Sequence, residues 1–159
     1  MIEEKGVNIK MDNIWTKINC EVPQYFNTLA EKYSMKFLKV TLLKTAIVAE
    51  KFILLISIDR FSADVDYIMR DKTSEIIIYS CGNFFAERYD SADRTNLVEG
   101  NTAENMVINN LIIISNGLQS KWSKVLHGDI EWINDFKHSI WFSECRLNQT
   151  EKNIISKHI

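Results

Sequence analysis

Between Leu38 and Ser80 the chain is a close succession of β-branched and aromatic residues broken only by short polar stretches. No other feature narrows the possible folds as much. Leu38, Val40 and Leu42 alternate with Lys39 and Thr41, the period-two pattern of a half-buried strand, and Ala46–Ala49 continues it. Glu50-Lys51 reads as a turn. Phe52, Leu54, Ile56 and Ile58 then share one face while Ile53 and Leu55 occupy the other. A strand apolar on both faces belongs at the centre of a sheet. Residues 59–63 turn the chain, Val65, Tyr67 and Met69 form the apolar face of a third strand, and Asp71-Lys72-Thr73 turns it again. Glu75–Ser80 supplies a fourth strand. Short connections between consecutive strands predict a four-stranded antiparallel meander.

The flanking segments carry helical spacing. Residues 1–21 read as an irregular lead-in with anchors at Ile14, Trp15 and Ile18. Pro23 suits a first helical turn, and Phe26, Leu29, Ala30 and Tyr33 follow at helical intervals, which predicts a short helix over 23–34. Gly82-Asn83 ends the sheet, with Asn83 placed to cap a short helix through Tyr89. Residues 90–100 read as loop. Asn101 or Thr102 opens the clearest helix, with Glu104 in the first turn and Val107, Leu111, Ile114, Leu118, Trp122 and Val125 as its apolar stripe. Gly128 stops it, and Asp129 caps a further helix striped by Ile130, Ile133, Phe136 and Ile140. Residues 142–159 read as a weak helix, with a frayed tail over 150–159. Strands grouped before long helices predict an α+β fold, the meander preceded by a short helix and packed against C-terminal helices. The length of 159 residues fits one domain over 1–159.

Several chemistries lack the residues they need. Five scattered glycines form neither GxGxxG nor GxxxxGK[ST], so no phosphate-cradling loop is encoded. His127, His138 and His158 show none of the HxH, HxxxH or HExxH spacings, and Cys20, Cys81 and Cys145 form no CxxC, so neither a metal nor a cofactor is expected. Sparse cysteines read as reduced cytoplasmic thiols. The N-terminal residues lack a secretory h-region, and no apolar run approaches the roughly 20 residues that span a bilayer. The formal net charge of −2 argues against a direct nucleic-acid partner.

Charge is unevenly distributed. Residues 61–100 hold four Lys/Arg against eight Asp/Glu, while residues 101–159 hold six of each. Asp64 and Asp66 form a DxD pair on one strand face, a pattern able to hold a cation but equally that of a solvated face. Asp64, Asp66, Glu87, Asp90 and Asp93 are the candidates for contacts to a basic partner; the competing reading is a solvated rim. Trp132 and Trp141 fall partly off the helical stripe, which fits an interface or packing against the N-terminal segment. An alternative function, a small enzyme or ligand binder with a pocket between sheet and long helix, would draw on Ser57, Asp59, His127 and Cys145. A third reading is an oligomeric module that pairs through the first or fourth strand edge.

Phe52-Ile-Leu-Leu-Ile-Ser-Ile-Asp-Arg-Phe61, followed by Asp64-Val-Asp-Tyr-Ile68, and Tyr79-Ser-Cys-Gly-Asn-Phe-Phe-Ala-Glu-Arg-Tyr-Asp90, leading to Asp93-Arg94, resemble small cytoplasmic immunity proteins of bacterial contact-dependent growth-inhibition and polymorphic-toxin systems. The resemblance covers residues 36–94. It implies a non-enzymatic protein that binds its cognate toxin and blocks it. Such toxins are often basic nucleases, to which an acidic surface would be complementary.

Overall fold

The computed structural model describes the backbone of residues 2–159 and the side chains of residues 14–159. Helix α1 spans Ile2–Lys32. Residues 2–21, expected as an irregular lead-in, therefore belong to this helix, and the expected helix over 23–34 is its second half. Trp15, Ile18, Val22, Phe26 and Leu29 form one buried stripe across Pro23. Proline cannot donate to the carbonyl four residues back, which here belongs to Asn19. The Thr45 hydroxyl lies 3.3 Å from that carbonyl oxygen and 2.8 Å from Asn19 Oδ1, and Asn19 Nδ2 donates to the Thr41 carbonyl. The gap left by Pro23 is thus filled from the sheet, and the helix runs on.

Strands β1 (Lys36–Thr41), β2 (Lys44–Val48), β3 (Ile53–Ile58), β4 (Ala63–Arg70), β5 (Ile76–Tyr79) and β6 (Glu144–Cys145) form one sheet in sequence order, every pair antiparallel. The class is α+β, as expected, but the sheet has six strands rather than four. The expected first strand is a hairpin that turns at Leu42-Leu43, where Leu43 N donates to Thr41 Oγ1. A turn made of leucines carries none of the usual Gly or Asn punctuation, so the alternation reads straight through it. The sixth strand arrives from the C-terminal segment and pairs Cys145 with Ile78.

Helices α2 (Gly82–Ala86), α3 (Ala103–Lys121), α4 (Ser123–Leu126), α5 (Trp132–Lys137) and α6 (Gln149–Ile155) follow, with a 3-10 turn at Ser91–Asp93. Cys81, not Asn83, is the N-cap of α2. Thr102 caps α3 by accepting from Asn105 N. Gly128, at φ +96, ends α4 while its N–H and that of Asp129 close back on Val125 and Lys124.

One face of the sheet (Ile47, Leu54, Ile56, Val65, Tyr67, Tyr79) packs on α1, α3 and an aromatic cluster of Phe84, Phe85, Trp122, Trp132 and Phe136. Trp132, offered above as an interface residue, is buried at the centre of this cluster. The other face (Val40, Ala46, Ile53, Leu55, Ile68, Ile78) packs on Ile155 of α6. The C-terminal segment expected to fray is therefore docked. Asn148 accepts from Glu151 N, buried Glu151 pairs with Lys44 at 3.1 Å, and Arg70 donates to the carbonyls of Ser156 and Ile159. Among the described residues no helix is long and apolar enough to cross a membrane.

Ile155 is fully buried, so Ile155→Ala is expected to lower stability by about 2–4 kcal/mol. Urea denaturation reads this as a fall in midpoint; a change within about 0.5 kcal/mol would mean that α6 does not cover the second face.

Candidate binding surface

Short helix α2 organises the acidic stretch. A Cβ at Gly82 would collide with the Asp64 carboxylate, so glycine there lets Asp64 lie over the start of the helix, where Asp64 Oδ1 accepts from Val65 N. Phe84 and Phe85 point into the aromatic cluster, and the Phe85 carbonyl accepts from Trp122 Nε1 at 3.0 Å. Asn83, Ala86 and Glu87 are left facing outward. The Arg88 guanidinium stacks over Trp122, 4.1 Å from the ring. Tyr89 packs so closely on Gly117 that any side chain there would clash. The segment after α2 is thereby pressed onto α3.

Asp90 and Asp93 complete that attachment. Asp90 caps the 3-10 turn through its bond to Ala92 N, and Asp93 Oδ2 accepts from Asp90 N, which forms a capping box. Asp93 is only 2 % exposed. It accepts from the Ser120 hydroxyl and from Lys121 Nζ, and Lys121 also pairs with Asp90 at 3.2 Å. Burial alone would raise the Asp93 pKa, but these bonds hold it below the usual carboxylate value. Asp93 serves the fold and offers a partner almost no surface.

Glu87 accepts a hydrogen bond from the Trp141 indole N–H. Helix α5 ends at Lys137, and Ser139 caps the break by donating to the Phe136 carbonyl and accepting from Trp141 N. The chain leaves the helical path there, so Ile140, expected in a buried stripe, is 88 % exposed. Phe142 is also exposed and meets Phe136 edge-on. Helical spacing carried over this break, and no residue type near 138 signalled it.

Asp66 lies on the opposite side of the sheet, beside Ser80 and Cys145, whose thiol is 3.9 Å from Asp66 Oδ2. Burial, and then the Asp64 carboxylate, raise its pKa to about 6 against the opposing influence of Ser80, Lys44 and Cys145. Burial likewise raises Asp64, against the bond from Val65 N. The five acids therefore do not gather into one patch. Asp64 and Asp66 share the second face of β4, with Asp64 at its end beside Gly82, while Glu87 is exposed at the end of α2, Asp90 is exposed at the following turn and Asp93 is internal.

The alternative set does not converge either. Asp59 sits in the β3–β4 turn and His127 beside the β2–β3 turn, at opposite ends of β3, roughly 20 Å apart for a strand of this length. Cys145 lies on the sheet face covered by α6, across the sheet from α1 and α3. Burial raises its thiol pKa, which disfavours the nucleophilic thiolate. Among the described residues no three His, Cys, Asp or Glu side chains come together in a metal-binding group. The fourth expected strand is not a free edge, because β6 pairs with β5. No family model matches the chain, and neither a curated protein nor a solved structure matches it.

Asp66 binds its proton more tightly folded than unfolded, so protonation favours the fold. Its contribution falls as pH rises from about 4 to about 6, and the ionised form carries a constant penalty above that. Asp66→Asn is expected to be more stable than the parent at pH 7.5 by about 1–2 kcal/mol, allowing for partial exposure, with the difference vanishing near pH 4. Urea titrations at the two pH values check both the sign and the window.

Proposed function

We propose that the chain is an immunity-type protein that binds a cognate bacterial toxin, a basic nuclease, and occludes its active site through the outward side of α2 and the adjoining Ile140–Phe142 segment. One observation carries this reading: the Glu87–Trp141 hydrogen bond holds a carboxylate and an aromatic ring together beside the most exposed large apolar residue of the described chain. Acid, aromatic and aliphatic groups set on a rigid support make up the kind of surface that dominates binding energy. Glu87 and Asp90 would meet the cations with which a nuclease holds phosphate, and Asp64 would extend the same field along α2. Ile140 and Phe142 would be desolvated on contact and would govern the dissociation rate.

The support itself favours action by surface. The sheet–helix interface is filled by Trp132, Phe84, Phe85 and Phe136, so the aromatics are committed to holding α2 in place. Interfaces of this kind change little on binding, and the cost of ordering the contact residues is met on folding.

The test is co-expression with the polypeptide encoded immediately upstream of this chain's gene. The parent chain should rescue growth and co-purify stoichiometrically. Glu87→Lys combined with Ile140→Glu alters two exposed positions and should leave the urea midpoint within about 0.5 kcal/mol of stability, yet weaken the complex at least about a hundredfold, the effect of losing two central contacts of about 1.4 kcal/mol each. Full rescue and unchanged affinity in the double variant would refute this face; absence of any complex with the parent chain would refute the neutralising role.

A further inference from the structure

We infer that the groove between α5 and the β4–β5 hairpin is a binding site for a long-chain carboxylate. This site lies apart from α2 and does not depend on the function proposed above. The groove is a cleft of about 530 Å³, within the range of small-molecule sites. Its floor is aliphatic and aromatic: Met69 and Ile77 face each other across the β4–β5 ladder, Tyr79 continues β5, and Ile130 and Ile133 close it from the helical side. Ile130, expected in a buried stripe, is 52 % exposed here. A second cleft of about 570 Å³ adjoins it at Met69, Arg70 and Ile130. Ile159 forms part of the wall of that second cleft, its main-chain oxygen accepting from Arg70 Nε at 3.1 Å.

The rim of the first cleft is cationic. Lys72 and Lys137 are exposed and make no ion pair among the described residues; Lys137 Nζ stands 5.9 Å from the Tyr79 ring. Arg70 is engaged by the carbonyls of Ser74 and Ser156 and by a main-chain oxygen of Ile159, which leaves Lys72 and Lys137 as the free cations of this rim. The rim carries a single carboxylate, Asp71, whose Oδ1 accepts from Thr73 N, Thr73 Oγ1 and Glu75 N, against the two free lysines. An apolar floor beneath unpaired cations selects an apolar body with an anionic head. The strand ladder uses the backbone groups of Tyr67–Arg70 and Ile76–Tyr79 on each other. A peptide laid on this floor would bury amides without partners, whereas an alkyl chain has none to satisfy.

Methyl-resolved NMR titration with dodecanoate, below its micelle concentration, tests the site. The expected result is saturable one-to-one binding with shifts at Met69, Ile77, Ile130 and Ile133. Decanoate, two methylenes shorter, should bind roughly fifteenfold more weakly, since each buried methylene is worth about fourfold. Lys72→Glu with Lys137→Glu, both exposed positions, should weaken dodecanoate at least about tenfold. Non-saturable binding, equal affinity for dodecyltrimethylammonium, shifts confined to other residues, or an unaffected double variant would each overturn the proposal. Displacement of dodecanoate by a lower concentration of an acidic peptide would overturn it too, by assigning the groove to a peptide.

Discussion

Strand β3 is apolar on both faces. Leu54 and Ile56 project to one side, Ile53 and Leu55 to the other, and all four are fully buried or nearly so. With roughly 25 cal/mol gained per Å² of apolar surface removed from water, neither side can be left open. The architecture answers this demand twice. Helices α1 and α3 and the aromatic cluster cover one side, and the chain returns after α5 to add β6 to the sheet edge and to lay α6 over the other side. The ion pair of Lys44 with buried Glu151 and the Arg70 contacts at Ser156 and Ile159 fix the second cover in register.

The sequence pattern already contained most of the first layer. The strands from Ile53 to Tyr79 and the stripe from Val107 to Val125 follow from periods of two and of about three and a half. What escaped was long-range or depended on a side-chain rescue. Pro23 reads as a helix start because a lone sequence does not reveal that Thr45, in another element, serves the freed Asn19 carbonyl. The Leu42-Leu43 turn is silent because its residues look like strand. The β6 strand is two residues long and has no local signature. The doubly apolar β3 was legible, and it entails a cover for the second face. That cover is the polar C-terminal segment, where Ile155 does the central packing.

The candidate surface was legible in part. Composition singled out the acidic stretch, in which Glu87 is exposed at the end of α2, Asp90 is exposed at the turn that follows and Asp64 lies against Gly82. Composition cannot separate carboxylates that face solvent from those that hold turns and helices together. Asp93 caps a 3-10 turn and anchors Ser120 and Lys121, and Asp66 lies under the C-terminal segment. The same limit applies to the aromatics: Trp132 supports α2 from within, while Trp141, nine residues on, sits beside Glu87 at the surface. Rigidity of the α2 face and burial of its aromatics are one structural fact, because the residues that fill the interface are those that hold the acids in place.

The most direct measurement is hydrogen–deuterium exchange of the chain alone and in the presence of the upstream-encoded polypeptide. Added protection is expected to concentrate in residues 82–94 and 139–144, with the exposed edge of β1 unchanged. Protection centred on β1 and the Leu42-Leu43 turn, with α2 unaffected, would contradict it.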